Sequence, residues 1–138
     1  MRFEGRVWKD KGSRFWLVEV PLLEVMTQGT SRRDACLMIA EAIECLIDKR
    51  GFKVDVHPVD GESISVGANR EGMMVALMLR RQREARRLTL AEVARRLGQK
   101  SPNAYARYEQ GKSLPTVEKL GKLLKAIDPE LDPILKVA

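Results

Sequence analysis

Few residues in this chain could carry catalysis. The one histidine, His57, precedes Pro58 and has no identifiable partner for activating a nucleophile. The strand-borne carboxylates are Glu4, Glu19 and Asp55, with Asp10 and Asp60 in turns. A two-metal hydrolytic site needs several carboxylates converging on ions a few ångströms apart. Glu19 and Asp55 alternate with apolar neighbours, which predicts that both face solvent. Cys36 and Cys45 fall nine residues apart in one predicted helix. That spacing puts them ~13 Å apart along the axis and on opposite faces, so they neither pair nor form a metal site alone. The expectation is no enzyme, no metal and no cofactor, with both thiols idle.

The chemistry these residue types do suit is recognition. Thr89–Gly111 reads as two short helices around a tight turn. Thr89 can cap the first, with Glu92 three residues on at capping-box spacing. Leu90, Val93, Ala94 and Leu97 give it one apolar face, and Gly98 stops it. Ser101 offers a second cap, with Pro102 at the first helical position, and that helix should run to Glu109 or Gln110 and stop at Gly111. Two short helices, a glycine turn and a basic setting are the sequence form of a helix-turn-helix. Charge agrees: residues 1–69 hold 10 Lys and Arg against 11 Asp and Glu, and residues 70–138 hold 15 against 8, so the +6 excess belongs to the second half.

The elements that must position this unit are legible on both sides. The chain has 138 residues, 44% hydrophobic and 32% charged. It should fold and stay soluble; no apolar run approaches a membrane span, and the N-terminus lacks a signal-peptide core, so a cytoplasmic location and no membrane partner are expected. Strands are predicted over Arg2–Lys9, Arg14–Val20, Leu22–Gln28, Lys53–His57 and Ser63–Gly67, with turns at Asp10–Ser13 and Pro58–Gly61. Ser31 and Asp34 start a helix whose apolar stripe is Ala35, Ile39, Ala42, Ile43, Leu46 and Ile47, reaching Lys49 and ending at Gly51. The fold class is therefore α+β: a small β-β-β-α-β-β sheet with one packed helix over residues 1–68, then an all-α domain over 69–138. In the second part Met73–Arg86 is predicted helical. Met73–Leu79 is almost wholly apolar and must be buried, in the C-terminal core or in a dimer interface. The basic run Arg80, Arg81, Arg83, Arg86 and Arg87 is either a solvated face or a set of phosphate contacts. Thr116–Ile127 forms a further helix, and Glu130–Leu135 one last turn or two.

Two stretches resemble known families. Trp16-Leu17-Val18-Glu19-Val20-Pro21, Thr27-Gln28-Gly29-Thr30, Ala35 and Ala40-Glu41-Ala42-Ile43 resemble the HicB-type antitoxin domain. The resemblance implies a truncated RNase H-like fold that binds and occludes a HicA-like, mRNA-cleaving toxin. Leu88-Thr89, Glu92-Val93-Ala94, Leu97-Gly98, Arg107, Glu109, Gly111, Pro115 and Leu120 resemble the XRE/Cro-type DNA-binding domain, over roughly residues 73–127. Gln82 stands where that family usually has an apolar residue, and Arg87 where glycine is common.

Carried over by position, this second resemblance makes Pro102, Asn103, Ala104 and Arg107 the base-reading residues. Lys100 and Ser101 lie near the DNA backbone, and Thr89, Lys112 and Ser113 contact phosphate. The chemistry fits, since Arg pairs with guanine, Asn with adenine, and Pro or Ala meets a thymine methyl. Glu109 should be structural, and Tyr105 and Tyr108 core residues, Tyr108 more firmly so. Together the resemblances imply a type II antitoxin that represses its own operon as a homodimer or higher oligomer on palindromic operator DNA. The alternatives are a stand-alone transcriptional regulator whose N-terminal domain senses a ligand or oligomerises, and a metal-dependent nuclease.

Overall fold

The computed structural model describes residues 1–137. Five strands, β1 (Phe3–Lys9), β2 (Trp16–Val20), β3 (Val25–Gly29), β4 (Val54–Asp60) and β5 (Ser63–Ala68), form one antiparallel sheet in the order β3-β2-β1-β5-β4. Helix α1 (Arg32–Ile47) crosses one face. Period-2 alternation sends Phe3, Val7, Val18, Val20, Ile64 and Val66 inward to meet Ala35, Ile39 and Ile43 on α1. The approach is close at Gly29, where a Cβ would stand 2.7 Å from the Ala35 Cα. The opposite sheet face, with Glu4, Arg6, Met26, Gln28, Asp55 and His57 exposed, carries no helix among the described residues.

The α+β reading stands, and several boundaries move for local reasons. The third strand starts at Val25 rather than Leu22. Pro21–Leu23 instead makes one 3-10 turn, closed by Glu24 in the left-handed region at φ 51°. Helix α1 stops at Ile47 because Asp48 turns left-handed at φ 50°, so Lys49 and Arg50 lie beyond it. Strand β4 runs on through Pro58 to Asp60, with a bulge between them. An outermost strand tolerates the missing N–H of proline. The expected helical turn over 130–135 is absent; Leu131 N donates to Asp128 O at 3.0 Å and no helix follows.

Helix α2 (Glu71–Ala85) joins the sheet to three shorter helices, α3 (Leu90–Arg96), α4 (Asn103–Glu109) and α5 (Val117–Ile127). Every residue from Met74 to Leu79 is buried. A helix apolar all round must have neighbours all round, and α2 does: it packs on β5, the 3-10 turn and α1 on one side, and on α4 and α5 on the other. The apolar run is thus consumed within the chain, between the sheet and the helical unit. Each fully buried Leu or Met there contributes about 1.5–3 kcal/mol. Side chains of α2 fasten the same junction, as Arg80 Nη2 donates to Leu46 O at 2.8 Å, Gln82 Nε2 to Leu22 O at 2.8 Å and Arg81 Nε to Leu23 O at 3.2 Å. No helix among the described residues is long and apolar enough to cross a membrane.

Candidate nucleic-acid interface

The two helices of the recognition stretch are fixed at both ends by their own sequence. Thr89 Oγ1 accepts from Glu92 N and Glu92 Oε2 accepts from Thr89 N, both at 3.1 Å, the complete capping box. At the far end of α3, Gly98 is left-handed at φ 76°. Gln99 N donates to Ala94 O at 2.9 Å and Gly98 N to Arg95 O at 2.9 Å. These paired bonds are the Schellman motif, which closes orphan carbonyls as it turns the chain. The same motif ends α4: Gly111 has φ 72°, Lys112 N donates to Arg107 O at 3.0 Å and Gly111 N to Tyr108 O at 3.2 Å.

The start of α4 differs by one residue from the expectation. Pro102 sits just before the helix with helical angles (φ −71°, ψ −11°), and its carbonyl accepts from Ala106 N at 2.9 Å. Ser101 Oγ accepts from Asn103 N at 3.2 Å, so the serine still caps, from one position further out.

Helix α4 divides its residues by period. Asn103, Ala104 and Arg107 share the outward face and are exposed, whereas Tyr105 is fully buried. Thr89, Lys100, Ser101 and Lys112 are exposed as well, and Pro102 and Ser113 are half-buried. The fold therefore brings Asn103, Ala104 and Arg107 together on one short helix with Pro102 at its entry, flanked by Lys100 and Ser101 before it and Lys112 and Ser113 after it. Thr89 stands apart, at the head of α3.

Behind the outward face lies a group that sequence reasoning only half found. Arg83 on α2 forks onto Glu109 on α4, Nε to Oε1 at 2.7 Å and Nη2 to Oε2 at 3.0 Å. The two side chains are only 14% and 6% exposed. Tyr105 donates its hydroxyl to the same Glu109 Oε1 at 2.6 Å, and Arg83 Nη1 donates to Leu88 O at 2.8 Å. The hydrogen bond it donates to Glu109 holds Arg83 more firmly charged than usual. Burial, then the neighbouring Glu109 carboxylate, push the Tyr105 hydroxyl up, so it stays a neutral donor. Glu109 is structural as expected. The tyrosines exchange rank: Tyr105 is the core residue and Tyr108 is half-buried.

The basic run on α2 also turns inward. Arg80, Arg81 and Arg83 are held by the bonds above, and Arg86 binds Asp128 at 2.8 Å and Gln82 Oε1 at 2.7 Å. A backbone hydrogen bond from Glu130 and then the Arg86 guanidinium hold the Asp128 carboxyl below its usual range. Phosphate contact from these four arginines is replaced by internal structure, and Arg87 alone of the run is exposed without such a bond among the described residues.

Residues 79–132 match a helix-turn-helix family model. The match identifies this part of the chain as a helix-turn-helix and supports a DNA-binding transcription regulator. No curated protein and no solved structure matches the chain.

Proposed function

We propose that this chain is the antitoxin of a type II toxin–antitoxin pair: it binds and inhibits a HicA-like, mRNA-cleaving toxin and represses its own operon by binding operator DNA. The observation that supports the reading is the joining, in one chain, of a helix-turn-helix to a five-stranded sheet with one face free of helices. DNA is read by the outward face of α4: Asn103 and Arg107 supply amide and guanidinium to base edges, Pro102 and Ala104 meet methyl groups, and Thr89, Lys100, Ser101, Lys112 and Ser113 reach the backbone. A homodimer sets two such helices about 34 Å apart on a palindrome.

The chain acts as an inhibitor and repressor, not as an enzyme. Glu19 on β2 and Asp55 on β4 stand three strand spacings apart, about 14 Å across the sheet, too far to converge on two metal ions about 4 Å apart. Asp55 is moreover paired with Arg2 at 2.7 Å.

Co-expression with the neighbouring gene product, followed by pull-down and a growth assay, tests the toxin-binding role. The expected result is a stable complex and relief of growth arrest. A protein that binds operator DNA but captures no toxin would instead be a stand-alone regulator.

A further inference from the structure

The sheet has two edges, and they are guarded differently. Strand β4 carries Asp55, Pro58 and Asp60, with a register shift between Pro58 and Asp60. Edge charges, proline and bulges are the devices by which folded proteins keep an outermost strand from pairing with another chain. Strand β3 has none of them. Val25, Met26, Thr27, Gln28 and Gly29 include no charge and no proline, and they pair with β2 in unbroken register. Among the described residues, no backbone hydrogen bond other than those to β2 involves this strand. Its outer N–H and C=O groups, borne by alternate residues, therefore stand open. Met26 and Gln28 are exposed on the sheet face opposite α1, Met26 by 57%.

We propose that β3 is the docking edge for a second copy of this chain, which pairs antiparallel with it about a two-fold axis at Thr27. This register uses the whole strand: Val25 lies opposite Gly29 of the copy, Met26 opposite Gln28, and Thr27 opposite Thr27. Whichever alternate residues bear the outward groups, each donor then meets an acceptor. The two Thr27 side chains face each other on the α1 side, and the two Met26 side chains meet diagonally on the other, both favourable cross-strand arrangements. An uncharged strand meets its own copy without like-charge repulsion. The contact is isologous, so it closes as a dimer. It thereby supplies the second copy that a palindromic site requires, and it rests on the DNA-binding reading for that purpose alone.

Sedimentation equilibrium of the full chain without DNA or toxin, with amide hydrogen exchange followed by NMR, tests the contact; its failure leaves operator and toxin binding to be judged by their own assays. Wild type should dimerise in the micromolar to millimolar range, as a small interface does. The outward β3 amides should gain protection as concentration rises. Met26→Lys with Gln28→Lys, both at exposed positions, sets lysine opposite lysine twice across the axis and should weaken dimerisation about tenfold. Met26→Lys with Gln28→Glu sets lysine opposite glutamate and should return it to within about threefold of wild type. A chain that stays monomeric, association undiminished in the doubly basic variant, no recovery in the variant of opposite charges, or β3 amides protected only once a toxin is added overturns the proposal.

Discussion

Arg83 and Arg107 belong to the same small helical unit and do opposite work. Arg83 sits on α2, 14% exposed and forked onto Glu109. Arg107 sits on α4, exposed, with no ion pair among the described residues. The difference comes from what lies across from each. Helix α2 has neighbours on every side, so Arg80, Arg81, Arg83 and Arg86 after its apolar stretch each find a carbonyl or carboxylate at the junction. Helix α4 has neighbours on one side only, and its outward face meets none. A guanidinium in a basic run is therefore structural or functional according to the packing of its helix, and composition alone does not distinguish the two.

Substitution can break that contrast, beginning where the effect is greatest. Glu109→Ala strands a buried Arg83 charge and removes the acceptor of Tyr105. Breaking a buried pair costs about 3–5 kcal/mol, to be read from the urea midpoint; wild-type stability would show that the Arg83 pair holds nothing together. Arg107→Ala should leave that midpoint within about 0.5 kcal/mol of wild type and weaken specific operator binding by about 1–3 kcal/mol. Undiminished binding in a gel-shift series would move the reading face off α4. The smallest effect sharpens the comparison from a third arginine. Arg87 is left-handed at φ 55°, with Leu88 N donating to Arg83 O and Arg87 N to Glu84 O, the Schellman bonds again but without a glycine. Arg87→Gly should relieve about 1 kcal/mol of backbone strain and raise the melting temperature. A lower one would mean that the side chain carries a contact of its own.

Much of this was legible because it is local. The Thr89–Glu92 capping box, the Gly98 and Gly111 stops, the Ser31 cap and the alternation in β1 and β2 depend on residues within a few positions of each other. Sequence reading failed where partners are distant. It gave Met73–Leu79 to the C-terminal core or a dimer interface; α4 and α5 cover one side, but the other is covered by Leu23, β5 and α1, which lie far off in sequence. It judged Glu109 to be structural without naming Arg83, which lies on another helix. Gln82, conspicuous as a polar residue at an apolar position, is explained by Arg86 four residues on and by Leu22 O, on a 3-10 turn sixty residues earlier. The Tyr105 and Tyr108 ranking turned on which way α4 rolls, and the Glu109 anchor sets that roll.

Helix α4 has seven residues. A helix so short has no standing of its own in water, where segments below about 12–15 residues are marginal. It exists because left-handed glycines close α3 before it and α4 itself, and because Glu109, which also accepts the Tyr105 hydroxyl of its own helix, binds its inner side to Arg83 on α2. The disorder that an isolated peptide of this sequence would surrender on meeting a duplex has already been surrendered during folding. If α4 is the reading helix proposed above, association with DNA bears only the loss of rigid-body freedom and the ordering of a few side chains such as Arg107, which is the thermodynamic advantage of a preorganised surface.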